Sequence, residues 1–297
     1  MPLTCPSPHP AGRALRAART LPPLAAAIAA LALALTLLAA AASPADAASV
    51  RRVDLGADNL ERLAPNCGRN FNRDCVAEGK ATLFQSRSKG VAGRTFEVPW
   101  PGKLVAWSIS LADVTRKVLT VGGDEKAAQQ PFFDGVFGGP STARIGVLRR
   151  VEKKAKGAPK YKLVRQTPVQ ILNPYFGTTV TFALEKPLNV VKGHIVALTV
   201  PTWAPALWKP RACNDIGPNE VLDPERCEGM LKKYSYRTSR VPRGEDKCML
   251  RQDPDTKELN EPLAKTRPQT GIDSVRRYGC YYQPQVVLYS ATIVGAE

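Results

Sequence analysis

The sequence predicts an all-β protein: a jelly-roll-like β-sandwich with a disulfide-stapled irregular insertion, preceded by a signal peptide. Three observations lead there. From about residue 81, short runs of alternating apolar residues follow one another, punctuated by glycine, proline and charge. Sustained amphipathic helices are absent, the nearest candidate being "ADNLERLA" (57–64), which ends at Pro65. Six of the seven cysteines lie beyond an apolar leader, the even number that disulfides in an exported chain require.

Residues 1–47 read as the signal peptide. Arg13, Arg16 and Arg19 precede the apolar stretch "PLAAAIAALALALTLLAAAA", and Ala45-Asp46-Ala47 supplies the small-x-small cleavage site. A secreted, extracellular protein without a transmembrane span is therefore expected. Cleavage leaves 39 basic residues against 25 acidic, a net charge of +14, which favours anionic neighbours and says nothing of fold.

The segment 48–80 is polar and loop-rich around Cys67 and Cys75. The first part of the sandwich occupies 81–205. Strict alternation in "KLVAWSISL" places Val105, Trp107, Ile109 and Leu111 on one face. "ARIGVLRRV" (143–151) and "YKLVRQTPVQIL" (161–172) form a hairpin about a lysine-rich turn with Gly157 and Pro159. "TTVTFAL", "LNVV" and "HIVALTV" follow, with Lys192-Gly193 as a tight turn. Residues 206–278 form the irregular insertion, with little periodicity beyond "KYSYRTS", and 279–297 hold the closing strand "QVVLYSATIV". Local loop closure pairs Cys67 with Cys75 and Cys213 with Cys227, leaving Cys248 with Cys280, one of 15 arrangements open to six cysteines.

"TFEVPWPGKLVAWSIS", "ARIGVLRRV", "YKLVRQTPVQIL", "FALEKPLNVVKGHIVALTVP" and "RRYGCYYQPQVVLYSATIV" resemble, over roughly 95–205 and 275–295, a group of uncharacterised secreted β-sandwich proteins of high-GC actinobacteria. The likeness lies in the order of a V-P-x-x-G strand start, a W-S strand, an L-R hairpin and P-L-x-V-x-K-G before a buried strand. Members often carry an acidic residue after K-G, where this chain has His194. The resemblance implies a fold and a compartment, and no activity.

No catalytic, cofactor or metal constellation stands out. His194 follows a turn glycine, where an exposed polar residue is ordinary, and no G-x-S-x-G accompanies it. One histidine and no C-x-x-C in the chain after residue 47 argue against zinc. "DPDTKE", with Asp253, Asp255 and Glu258, lacks the turn glycine and ligand count of a calcium loop. Two acidic groups, Asp113, Asp124, Glu125 and Asp134, and Asp215, Glu220, Asp223 and Glu225, are the raw material for a polysaccharide hydrolase that needs two facing carboxyls.

Two features point to binding. Arg149, Arg150, Lys153, Lys154, Lys156, Lys160, Lys162 and Arg165 gather about one hairpin with Glu152 opposing. They fit contact with an anionic envelope polymer or glycan; lysines that discourage edge pairing are the plainer reading. Tyr161 is the single aromatic residue among them, so sequence-specific nucleic-acid readout is not expected. Trp203 and Trp208, among Pro201, Pro205 and Pro210, either stack on a sugar ring or close one end of the core. The expected function is a non-enzymatic binding or structural module, with the hydrolase and a tryptophan-based carbohydrate-binding module as alternatives.

Overall fold

A computed structural model describes residues 50–66, 77–88, 91–92, 95–115, 118–119, 125–126, 129–151, 157–213, 215–217, 220–221, 223–240, 248 and 266–295. The expected signal peptide, the pair Cys67 and Cys75, the hairpin lysines Lys153, Lys154 and Lys156, and Asp124, Asp253, Asp255 and Glu258 lie outside the described residues.

The principal elements, in chain order, are β1 (Arg51–Leu55), α1 (Ala57–Arg62), β2 (Glu78–Ser88), β3 (Gly102–Ser110), α2 (Gln129–Phe137), β4 (Thr142–Arg150), β5 (Lys160–Gln166), β6 (Thr179–Val190), β7 (Ile195–Ala204), β8 (Leu207–Trp208), α3 (Pro224–Leu231), β9 (Ser235–Thr238), β10 (Val275–Arg277), β11 (Cys280–Tyr282), β12 (Val286–Val287) and β13 (Tyr289–Gly295). Most of the strands build two antiparallel sheets, and β8 pairs with β12 in a separate two-stranded ladder. The smaller sheet runs β1–β13–β3–β6, and the path of the larger is β10–β5–β4–β7–β2–β9–β11. Two β sheets over a shared core make the sandwich that alternation predicts.

That core takes Leu104, Trp107, Ile109, Ala291 and Ile293 from the small sheet, and Leu83, Ile145, Val147, Val196 and Leu198 from the large one, all essentially inaccessible to water. Phe96 stacks on Tyr289 with ring centroids 4.1 Å apart, and the Tyr289 hydroxyl donates to Val196 O at 2.9 Å, tying one layer to the other.

Strict alternation fails at one point in β3. Opposite β13, Ala106 pairs with Thr292 and Leu104 with Ile293, so Val105 has no partner of its own. This β-bulge resets the register, turning Leu104 into the core and leaving Val105 half-buried. The insertion is also less separate than its composition implies. Ser235–Thr238 pairs with β2 inside the large sheet, and Val275–Arg277 forms its edge against β5. Disulfides join Cys213 to Cys227 and Cys248 to Cys280. Among the described residues no helix is long and apolar enough to cross a membrane.

Candidate functional site: a basic cleft where two strands part

β2 and β7 pair from Glu78–Ala204 as far as Leu83–Leu198, and there they diverge. β2 continues to Ser88 beside β9. The start of β7 instead takes Phe96–Val98 as neighbour: Val196 N–H donates to Phe96 O at 2.9 Å, and Val98 N–H to His194 O at 2.8 Å. The divergence leaves a cleft of about 910 Å³.

Strand register decides what enters it, because residues directly opposite in an antiparallel pair share a face. Arg150 lies opposite Tyr161, and Phe84, Arg237 and Tyr281 form a row across β2, β9 and β11. Phe84, Tyr161 and Ile195, all buried, line the apolar depth of the cleft. Phe84 meets Tyr161 edge-on at 5.4 Å, and both contact Tyr278.

Around this floor stand Arg87, Arg149, Arg150, Lys192 and Arg237, five basic side chains against the single carboxylate of Glu97 among the described lining residues. Arg237 donates to Tyr278 O at 3.4 Å and lies over the Tyr281 ring, 5.0 Å from its centroid. Arg87 donates through Nη1 to Lys232 O at 3.0 Å, while its buried Nε has no partner among the described residues. Burial pushes the Tyr161 hydroxyl above its usual pKa. The positive charges of Arg150 and Arg237, reaching it from different strands, pull against that rise, and Glu97 adds to it. The two guanidinium fields therefore converge on one point.

His194 sits on the cleft wall and is buried, not exposed as its place after Gly193 suggests. The reason is Phe96–Val98, which covers the start of β7. Its Nδ1 accepts from Val191 N–H at 3.4 Å. Burial, reinforced by Arg165 and Arg149, holds the imidazole below its ordinary pKa, so the ring is the neutral form near pH 7.

The other residues singled out by sequence are dispersed. Lys160 and Lys162 alternate with Tyr161 and border no part of the cleft; Lys162 pairs with Asp273 at 2.8 Å. Trp203 is fully buried, packs on Phe133 and Phe176, and donates its indole N–H to Asp134 at 2.9 Å and Gly139 O at 3.0 Å. It has no face left for a ligand, so the stacking role offered for it gives way to a core cap. Trp208 is half-buried and lines a separate hollow. Three of the acidic loop residues have structural duties: Asp113 receives Thr115, Asp134 receives Trp203, and Asp223 caps α3 through Arg226 N–H. Among the described residues no group of three or more His, Cys, Asp or Glu is placed to hold a metal.

Sequence reasoning missed Arg87, Glu97, Arg237 and Tyr281. The alternation in "KYSYRTS" was the available signal for Arg237; the others become neighbours only through strand pairing. No protein-family model, curated protein or solved structure matches the chain.

Proposed function

We propose that the protein is an exported, non-enzymatic binding module that holds an anionic glycan of the cell envelope in the cleft between β2 and β7. The observation that carries this reading is the ring of five basic side chains about an aromatic floor, opposed by one carboxylate among the described lining residues. Guanidinium groups bind carboxylate or phosphate oxygens in bidentate fashion. The apolar floor accepts the carbon skeleton between such charges. A strongly basic chain adds long-range attraction toward a polyanion, and the leader and disulfides fit a protein working outside the cytoplasm.

The test is retention on immobilised polygalacturonate across a salt gradient, with a neutral polysaccharide column as reference. The purified chain binds the acidic column at low salt and elutes as salt rises, since polyion binding releases counterions. Arg149→Glu with Arg150→Glu abolishes retention. Equal retention of that variant, or equal retention on the neutral column, overturns the assignment.

A further inference from the structure

A second hollow, of about 500 Å³, lies against Trp208 and is lined by Pro210, Arg211, Asp223, Arg226 and Met230 among others. Leu207, next in the chain to Trp208, is buried in the main core and pairs with Val287. Alternation along β8 therefore turns Trp208 outward. The indole is fixed on both sides. Trp208 pairs with Val286, and the following residue, Lys209, has its backbone N–H and C=O both held by the Asn66 side chain. Tyr234 meets the indole edge-on at 5.3 Å.

The backbone that carries the polar groups of the hollow is also held. Arg211 lies two residues before Cys213 and Arg226 one before Cys227, and the disulfide joins those two cysteines. Asp223 N–H donates to Ala212 O at 3.0 Å, and its carboxylate caps α3. Cys213, Cys227 and Ala212 form a small apolar cluster of their own, with Met230 packed against it.

We propose that this hollow is a saccharide site, with Trp208 as the platform for a pyranose ring and Arg211, Arg226 and Asp223 as partners for its hydroxyls. A pyranose presents C–H groups on its faces and hydroxyls at its edge. The hollow presents the complement: indole, proline and methionine on one side, guanidinium donors and a carboxylate acceptor around them. A bare anion gains nothing from the indole and the thioether. A wholly apolar ligand strips water from two arginines and a carboxylate without replacing those hydrogen bonds. Because the indole, the Asp223 carboxylate and the backbone bearing the two arginines are held before binding, the ordering cost on association falls mainly on the two guanidinium side chains. The site is independent of the basic cleft and does not require a charged ligand.

The experiment is calorimetric titration of the purified chain with two neutral probes, chitohexaose and cellohexaose, alongside near-ultraviolet circular dichroism of each variant. At least one probe binds the unaltered chain, and Arg149→Glu with Arg150→Glu leaves that affinity unchanged. Trp208→Ala weakens it about tenfold or more, a loss of roughly 1.4 kcal/mol. If Trp208→Ala disturbs the fold, Arg211→Gln with Arg226→Gln decides instead, since both side chains are exposed; it too lowers the affinity about tenfold. Absence of binding by both probes, or binding that survives the substitutions, overturns the proposal. Loss of binding in the cleft variant alone moves the saccharide to the cleft and overturns it as well.

Discussion

Arg240 and Glu78 form an ion pair deep in the protein, their side chains only 4% and 3% exposed. Glu78 also receives the Tyr236 hydroxyl at 2.8 Å and the N–H of Gly79 at 3.0 Å, while Arg240 reaches Gly79 O and the Tyr282 hydroxyl. The pair thus joins the first residues of β2 to the chain just past β9. Burial, the largest single influence, would make Arg240 easier to deprotonate, but the charge and hydrogen bond of Glu78 together with the Tyr282 and Tyr236 hydroxyls outweigh it and raise its pKa, so the guanidinium stays charged. Glu78→Gln strands that charge without its counterion and costs about 3–5 kcal/mol of stability in urea unfolding. Replacing both residues with methionine is milder than the single change; a larger loss in the double variant contradicts this account.

The cleft and the flank of the hairpin are separable by charge. Lys162 is tied to Asp273 and borders no part of the cleft, so Lys162→Gln leaves retention on polygalacturonate within about twofold of wild type, as expected for an ion pair of small net worth. Arg237→Gln, from a distant strand, moves elution to clearly lower salt. Equal effects from the two substitutions would mean that bulk charge, not the cleft, makes the contact.

His194 carries a pH signature with a fixed sign. Burial, then Arg165 and Arg149, depress its pKa in the folded protein, while the unfolded chain titrates near the ordinary value of about 6.5. The unfolded state therefore binds more protons below that value. This contribution to stability is whole above pH of about 6.5 and is lost as pH falls through the depressed folded value. His194→Asn removes that acid slope in thermal unfolding between pH 7 and 5. A polyanion in the cleft screens Arg149 and partly restores the imidazole's affinity for a proton, which is read as an upward shift of its NMR titration.

The disulfide between Cys213 and Cys227 spans 14 residues, and the cluster around it is separate from the main core. Replacing both cysteines with serine removes about 3 kcal/mol from the local unit by the loop-entropy account. Amide exchange accelerates within Arg211–Leu231 and stays unchanged in β3, β4 and β7. Acceleration throughout the sandwich would show the staple to be global.

The sandwich was legible because Trp107 and Ile109 alternate with half-buried Ala106 and Ser108, the period of a strand with one face in the core, while the unbroken apolar run of Ile195–Leu198 marks a strand buried on both faces. The bulge at Val105 was not, since an extra residue is set by pairing with β13, which the local pattern does not contain. Half of the cleft was legible. Arg149 and Arg150 stood out as part of a charge run, whereas Arg87, Glu97, Arg237 and Tyr281 come from four stretches that only the sheet brings together. His194 read as exposed because its immediate neighbours are turn residues, and the cover of Phe96–Val98 comes from about a hundred residues earlier. Trp203 and Trp208 looked alike in sequence. Their opposite fates follow from strand position: one ends β7 beneath α2, and the other stands one residue past a buried leucine.

The position of β13 between β1 and β3 has a temporal consequence. Neither β1 nor β3 offers the other a hydrogen-bonding edge, so the smaller layer stays open until Tyr289–Gly295 has been synthesised and slots between them. A nascent polypeptide with that architecture emerges from the ribosome without locking shut. The C-terminal segment is therefore the last piece the smaller layer needs before it can close.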